Sequence, residues 1–86
     1  MVEVTVYTTA TCPYCHAAKA LLERKKVPFH EIDVTGNATE RMRLVERTGG
    51  RRTVPQIFIG DRSIGGYDEL SQLEQSGRLD PLLAGG

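Results

Sequence analysis

Both cysteines of the chain lie in the short motif Cys12-Pro13-Tyr14-Cys15, and they are the residues best suited to do chemistry. A Cys-X-X-Cys pair acts as a redox dithiol or as part of a metal site, and more rarely is two unrelated buried thiols. The motif stands where an alternating strand pattern gives way to a helical pattern. A helix N-terminus stabilises a thiolate, because its unpaired N–H groups and its dipole favour negative charge. We therefore expect Cys12, at the helix cap, to ionise more readily than Cys15, one turn deeper.

A metal site is the main alternative use of such a motif. Structural zinc takes about four ligands, and besides the two cysteines only His16 and His30 supply soft donor atoms. His16 follows Cys15 directly and cannot easily face the same ion, while His30 lies on a different predicted strand. Copper chaperones also use a Cys-X-X-Cys motif, but the loop before this one lacks their usual methionine. We therefore predict no metal-binding residues.

A pair of unreactive core thiols is also disfavoured, because such thiols rarely flank a helix cap.

The composition of the whole chain limits the partners of this dithiol. Its 86 residues suffice for one small core, so we expect residues 1–86 to form a single domain. Lys plus Arg and Asp plus Glu number 11 each, and this balance does not indicate a nucleic-acid or membrane partner. No apolar run approaches the roughly 18–20 residues of a membrane span, and no signal-peptide pattern is visible. Two cysteines are typical of catalysis in a reducing compartment, so we expect a cytoplasmic location.

Periodicity predicts the elements that must position the dithiol. Residues 2–7 alternate between apolar and polar types, which indicates a strand with one face toward the core. Residues 13–26 have helical spacing and place Cys15 on the apolar face. Residues 27–34 favour a second strand, which Pro28 restricts to its start or to a sheet edge. Strand, helix and strand in this order form a βαβ unit, so the two strands should run parallel with a right-handed crossover.

The second half of the chain predicts a helix, a hairpin and a closing helix. Asn37 and Glu40 resemble a capping box, and the helix that they open should stop at Gly49. Ala38, Met42 and Val45 should lie on one face of this helix. Residues 56–59 and 62–64 should form an antiparallel hairpin, with a further helix after it. The predicted order is β-α-β-α-β-β-α, an α/β fold with a mixed four-stranded sheet flanked by helices.

Three separated motifs together resemble one family. The chain is similar to a dithiol glutaredoxin of the class I, CPYC type at Cys12-Pro13-Tyr14-Cys15, Thr53-Val54-Pro55 and Gly65-Gly66-Tyr67-Asp68. The three motifs have the family's order and spacing, and flanking stretches agree as well, so the resemblance covers nearly the whole chain. It implies a thioredoxin-like fold and a glutathione-dependent thiol–disulfide oxidoreductase with a redox-active disulfide.

The resemblance also implies a role for each motif. Cys12 would attack a glutathionylated disulfide, and Cys15 would be the resolving thiol. Pro55 would be cis and would turn the backbone of Val54 toward glutathione. Asp68 would hold the γ-glutamyl end together with the backbone N–H groups that begin its helix, since a helix N-terminus suits a carboxylate. The implied glutathione site comprises Tyr14, Thr53, Val54, Pro55, Gly66, Tyr67 and Asp68.

One position departs from the family pattern. The family often has a lysine three residues before the first cysteine, where this chain has Thr9. Such a lysine would contact the glycine carboxylate of glutathione and would favour the thiolate. Arg51 or Arg52, beside the Thr53-Val54-Pro55 loop, could supply part of the missing charge.

The implied partners are glutathione, as a reducing co-substrate rather than a tightly bound cofactor, and glutathionylated or disulfide-bonded proteins. Ribonucleotide reductase is one family candidate among those proteins, and we expect a monomer. The main alternative is a protein that binds or transfers an iron–sulfur cluster, ligated by Cys12 and glutathione. Members that do so usually have one cysteine or lack the proline, whereas this chain has Pro13 and Cys15. A thioredoxin-like protein reduced by a flavoenzyme usually carries Gly-Pro between its cysteines and a preceding tryptophan, and this chain has no tryptophan.

Overall fold

The computed structural model describes residues 3–51 and 53–84. One mixed sheet has the strand order β2-β1-β3-β4. Its strands are β1 (Val4–Thr8), β2 (His30–Asp33), β3 (Gln56–Ile59) and β4 (Arg62–Gly65). The helices are α1 (Pro13–Arg24), α2 (Ala38–Thr48), α3 (Tyr67–Gln75) and α4 (Leu79–Leu83). None of these helices is long and apolar enough to cross a membrane.

The βαβ unit has the predicted direction, because β1 pairs with β2 in parallel. The second strand is nevertheless shorter than expected, since it begins at His30 rather than at residue 27. Val27 donates its backbone N–H to Leu22 at the end of α1, at 3.0 Å, instead of joining the sheet. Pro28 has no N–H to donate. As predicted for a strand that follows a proline, β2 lies at the edge of the sheet.

Both faces of the sheet are covered, whereas the alternating pattern of β1 predicts one buried face only. Val4 and Val6 belong to the larger core cluster, to which α1, α3 and α4 also contribute. Tyr7 points to the other face, where it packs with Val34, Leu44 and Phe58 and is 4% exposed. Tyr7 occupies a polar position in the alternating pattern of β1, but its ring is largely apolar and can be buried. The central strand β1 therefore reaches the dithiol from a position enclosed on both sides.

Both ends of α2 are as predicted, and Ala38, Met42 and Val45 line one groove along the helix, but this face is not the buried one. Asn37 Oδ1 accepts the N–H of Glu40 at 3.1 Å, and Gly49 ends the helix with φ of 74°. Leu44 is the residue of α2 that is buried, whereas Met42 is 66% exposed, Ala38 is exposed and Val45 is half-buried.

Arg47 explains why α2 does not need a methionine over the core. Its guanidinium lies 4.0 Å from the centroid of the Phe58 ring and donates to the Tyr7 hydroxyl at 2.9 Å. An arginine can cover aromatic surface with its planar head while it stays hydrated at the edge. Leu44 and Arg47 are thus the residues through which α2 covers the Tyr7 and Phe58 rings on this face of the sheet.

The last third of the chain has the predicted hairpin, since β3 and β4 pair antiparallel. Their pairing is irregular between Ile57 and Phe58: Ile57 stands opposite Gly65, and Phe58 stands opposite Ser63. This bulge lies where the hairpin approaches α3. The end of β4 is therefore bent locally at the point where it enters the functional site.

Candidate active site

Cys12 occupies the N-cap of α1, as predicted. Its backbone is extended, with φ of −96° and ψ of 111°, and its Sγ accepts the N–H of Cys15 at 3.2 Å. Pro13 fills the first helical position, where no N–H is needed. The sulfur therefore takes the place that a serine or aspartate oxygen occupies at most helix caps. A negative charge on this sulfur is stabilised by the first turn of α1.

Cys15 has a different environment, although it lies only three residues away. Its side chain is fully buried, and both cysteines are free thiols. Burial raises the pKa of the Cys15 thiol to about 12, and the hydrogen bond to the Cys12 sulfur adds to this effect. A backbone hydrogen bond from Thr9 and the charge of Lys19 oppose it. Cys15 is therefore protonated at neutral pH.

The loop before β3 meets Cys12 directly. The Val54–Pro55 peptide bond is cis, as the family resemblance implies. The Cys12 thiol lies 3.6 Å from the Val54 carbonyl oxygen and donates to it. The buried side chain of Gln56 donates its Nε2 to both the carbonyl and the hydroxyl oxygen of Thr53, at 2.9 and 3.1 Å. Gln56 thus holds the loop from the start of β3, and the Cys12 sulfur lies against the loop at Val54.

A cleft of about 310 Å³ opens beside this loop, within the range of about 300–1,000 Å³ that is typical of small-molecule sites. It brings together all seven residues of the implied glutathione site. The lining residues are Tyr14, Arg51, Thr53, Val54, Pro55, Gly66, Tyr67, Asp68 and Glu69. Tyr14 is 63% exposed, and its ring centroid is 6.3 Å from that of Tyr67. The two tyrosines therefore form one aromatic edge of the cleft.

The opposite wall of the cleft is the N-terminus of α3. Its cap is Gly66, which offers no side chain to the free N–H groups of the first turn. A Cβ at Gly66 would lie 3.4 Å from the Pro55 carbonyl oxygen, so the two walls are within contact distance at this point. Asp68 follows in the first turn and is exposed. This arrangement pairs N–H donors suited to a carboxylate with a carboxylate suited to an ammonium group.

The sequence analysis did not single out Glu69, which also lines this cleft. Its Oε1 is 2.9 Å from Nη2 of Arg51. The Arg51 guanidinium holds the pKa of the Glu69 carboxyl below its usual value, and the backbone N–H groups of Glu69 and Gly66 act in the same direction. Glu69 is the third residue of α3, the position at which glutamate forms a capping box, and this signal could have identified it. Arg52, the other candidate cation, lies outside the described residues.

The groove along α2 and the two histidines do not belong to this cleft. A larger groove, of about 530 Å³, lies along α2 and contains none of the residues predicted for the site. His16 is exposed, and Nε2 of His30 lies 3.4 Å from Glu3. Within residues 3–51 and 53–84, no three side chains of His, Cys, Asp or Glu are arranged so that they could hold a metal ion.

Comparison with known proteins shows which family the chain belongs to. Residues 4–64 match the glutaredoxin family model. The chain is 54% identical to glutaredoxin 3 of Escherichia coli strain K12 over 83 residues, which is 96% of this chain and 99% of the relative. The chain belongs to the glutaredoxin family. It is accordingly a glutathione-dependent thiol–disulfide oxidoreductase, as the three sequence motifs predict.

Solved structures of other glutaredoxins agree with the fold. A crystal structure of a buckwheat glutaredoxin–glutathione complex has a TM-score of 0.86 at 30% identity, and the match covers 94% of this chain and 76% of that one. The solution structure of glutaredoxin from Brucella melitensis has a TM-score of 0.84 at 52% identity, with 96% and 89% covered. The predicted thioredoxin-like fold is thereby confirmed.

Proposed function

We propose that Cys12 and Cys15 carry the activity of this glutaredoxin on protein–glutathione mixed disulfides and on protein disulfides. One observation carries the proposal. Cys12 Sγ caps α1 and lies 3.6 Å from the Val54 carbonyl oxygen, at the cleft that all seven residues of the implied glutathione site line. The sulfur at the N-terminus of α1 thus stands beside a small-molecule site of mixed apolar and polar character.

Removal of glutathione from a protein needs Cys12 alone. The Cys12 thiolate attacks the glutathione sulfur of the mixed disulfide, a Cys12–glutathione disulfide forms, and the protein leaves as a thiolate that takes up a proton. A second glutathione thiolate then attacks the bound glutathione sulfur. This step releases oxidised glutathione and regenerates the Cys12 thiolate, so that one free glutathione is consumed and the protein–glutathione disulfide is exchanged for the disulfide of oxidised glutathione.

Reduction of a protein disulfide uses both cysteines. Cys12 attacks one sulfur of the substrate and forms a mixed disulfide with it. Cys15 then attacks Cys12, its proton passes to the leaving substrate thiolate, and a Cys12–Cys15 disulfide remains for glutathione to reduce. Cys15 does not compete for the first attack, because burial keeps its pKa at about 12. Once substrate is attached, the proximity of the two sulfurs favours the second attack.

Glutathione would bind along the cleft in an extended conformation. Its γ-glutamyl carboxylate would accept from the first N–H groups of α3, and its ammonium group would face Asp68. The backbone of Val54, between Thr53 and Pro55, would pair with the peptide of glutathione, while Tyr14 and Tyr67 would cover its side. Each proposed contact uses a residue that lines the same cleft.

Several further properties belong to the same proposal. No tightly bound cofactor takes part, and the dithiol exchanges electrons with glutathione at a potential of roughly −200 to −230 mV, the usual glutaredoxin range. The protein acts as a monomer in the cytoplasm, where a free dithiol suits the reducing conditions. Its protein substrates include disulfide-bonded proteins such as ribonucleotide reductase.

A coupled assay tests the proposed reductant. Oxidised protein is supplied either with glutathione and glutathione reductase or with thioredoxin reductase, and oxidation of NADPH is followed in both. We expect turnover of a glutathionylated peptide only with the glutathione system. Turnover with thioredoxin reductase alone would contradict the proposal. Visible absorbance after anaerobic purification would instead support the iron–sulfur alternative.

A further inference from the structure

The two walls of the cleft come from separate parts of the chain, and regular sheet pairing does not fix their spacing. One wall is the loop around Val54 that precedes β3, and the other is the start of α3 that follows β4. At this end of the hairpin the pairing of β3 with β4 is irregular, because Ile57 is opposite Gly65 while Phe58 is opposite Ser63. A bulged pair bends and twists more easily than a regular ladder. The width of the cleft therefore depends on contacts that cross from one wall to the other.

The Arg51–Glu69 ion pair is such a contact. Arg51 Nη2 lies 2.9 Å from Glu69 Oε1, and the two residues stand on opposite walls of the cleft. The backbone of Arg51 is itself anchored, since its N–H donates to Thr48 Oγ1 at 3.0 Å and its carbonyl accepts from that hydroxyl at 3.1 Å. Glu69 is anchored in the first turn of α3, near the backbone N–H of Gly66. The ion pair thus joins the end of α2 to the start of α3.

Gly65 provides independent evidence that the fold accommodates this pair. A Cβ at Gly65 would lie 2.7 Å from Glu69 Oε1 and 2.8 Å from Arg51 Nη1, closer than such atoms can approach. The carboxylate of Glu69 and the guanidinium of Arg51 therefore both pack against the backbone of Gly65, the last residue of β4. Gly65 also has φ of 112°, a conformation that side chains with a Cβ rarely adopt. The missing side chain leaves the space in which the ion pair lies.

We propose that the Arg51–Glu69 pair is a clamp that sets the separation of the two walls at which the glutathione moiety binds. This inference rests on the proposed glutathione site. Arg51 is then a positioning residue that acts through Glu69. The charge of Arg51 is engaged by Glu69 and does not replace the lysine that is missing at Thr9. Glu69, in turn, holds the N-terminus of α3 against the loop and leaves Asp68 to face the ligand.

The test is a double-mutant cycle with neutral, polar substitutions. Arg51→Gln, Glu69→Gln and the double variant are assayed with a glutathionylated peptide and with the same peptide carrying cysteine instead of glutathione. Each single change should raise KM for the glutathionylated peptide about two- to fivefold, as expected for an exposed ion pair, and leave kcat unchanged. The double variant should be no worse than either single one, because the clamp is already broken by one change. KM for the cysteinylated peptide should not move.

The chain offers a matched control in the Arg43–Glu40 ion pair. This pair also joins an arginine to a glutamate on the surface, at 3.2 Å, but it lies on α2 and does not line the cleft. Arg43→Gln and Glu40→Gln should leave both KM values unchanged. Thermal unfolding of every variant shows whether the fold is retained.

The possible outcomes separate the clamp from the site on which it rests. If Arg51→Gln raises KM while Glu69→Gln does not, Arg51 contacts glutathione itself and the clamp is refuted. Unchanged KM in both single variants refutes the clamp as well. If the wild-type protein does not prefer the glutathionylated over the cysteinylated peptide, the proposed glutathione site is wrong, and the clamp fails with it.

Discussion

Two helices of this glutaredoxin begin at the same cleft, and their first turns are built differently. Helix α1 is capped by the Cys12 side chain, whose sulfur accepts the N–H of Cys15 at 3.2 Å. Helix α3 is capped by Gly66, which contributes no side-chain hydrogen bond, and its first turn carries the carboxylates of Asp68 and Glu69. Both helix ends offer backbone N–H groups and partial positive charge. In α1 the side chain of the cap residue accepts one of these N–H groups, whereas in α3 the cap residue has no side chain to do so.

In the proposed mechanism the two helix ends have distinct tasks. The positive end of α1 would act on the attacking atom, the Cys12 sulfur, and favour its thiolate. The cap of α3 would leave donors for an anionic group of the bound glutathione, and Asp68 would supply a charge for its cationic group. One backbone feature would then serve activation at one end of the cleft and recognition at the other. Substitutions at α1 should therefore change the chemical step, and substitutions at α3 should change binding.

The largest effect is expected from Cys12→Ser. We predict a loss of about a thousandfold or more in kcat for both deglutathionylation and protein-disulfide reduction, because the nucleophile is gone and the remaining thiol is buried. Serine is a good helix cap, so α1 should remain folded. Steady-state kinetics with both substrates and thermal unfolding of the variant check the two statements. Substantial deglutathionylation by Cys12→Ser would show that Cys15 can act as the nucleophile.

Cys15→Ser should divide the two activities. Deglutathionylation needs one enzyme thiol and should be retained, or should rise, because the Cys12–Cys15 disulfide can no longer form. Protein-disulfide reduction by the dithiol route should be strongly impaired, since the resolving thiol is missing. Both rates are measured on the same preparation. Cys15→Ala serves as the control for placing a hydroxyl at a fully buried position, and it should give the same division. Equal loss of both activities in both variants would contradict separate roles for the two thiols.

A smaller effect is expected at α3. Asp68→Asn should raise KM for a glutathionylated peptide about fivefold, with kcat unchanged, because an exposed charge pair contributes up to about 1 kcal/mol to binding. Initial rates over a range of peptide concentrations separate KM from kcat. Asp61→Asn is the matched control, since Asp61 is an exposed carboxylate in the turn between β3 and β4. A fall in kcat without a change in KM would place Asp68 in the chemical step instead.

Local sequence signals predicted three helix ends on α1 and α2 well, because a cap depends on residues that are neighbours in the chain. Two helices begin where predicted, at the N-caps Cys12 and Asn37, and α2 ends at Gly49 as predicted. The three motifs also identified seven of the nine residues that line the cleft, and the prediction of a cis Val54–Pro55 bond came from family resemblance rather than from propensity.

The features that the sequence did not predict depend on contacts between distant residues. Met42 fits a helical apolar stripe, yet it is 66% exposed, because Leu44 and the Arg47 guanidinium cover Tyr7 and Phe58. The Arg51–Glu69 pair joins residues 18 positions apart, and helical or strand periodicity contains no information about such a pair. Its glutamate carried a local signal as a possible capping-box residue, but its partner could be found only from the folded chain.

Alkylation of the wild-type protein tests the contrast between the two thiols most directly. Reduced protein is treated with iodoacetamide between pH 6 and pH 10, and mass spectrometry of peptides follows each cysteine separately. Thiolate is the reactive form, and burial raises the pKa of Cys15 to about 12. We predict that Cys12 is modified rapidly at pH 7, whereas Cys15 stays unmodified over this range unless the protein is first unfolded. Modification of Cys15 at pH 7 at the same rate as Cys12 would contradict the assignment of Cys12 as the nucleophile.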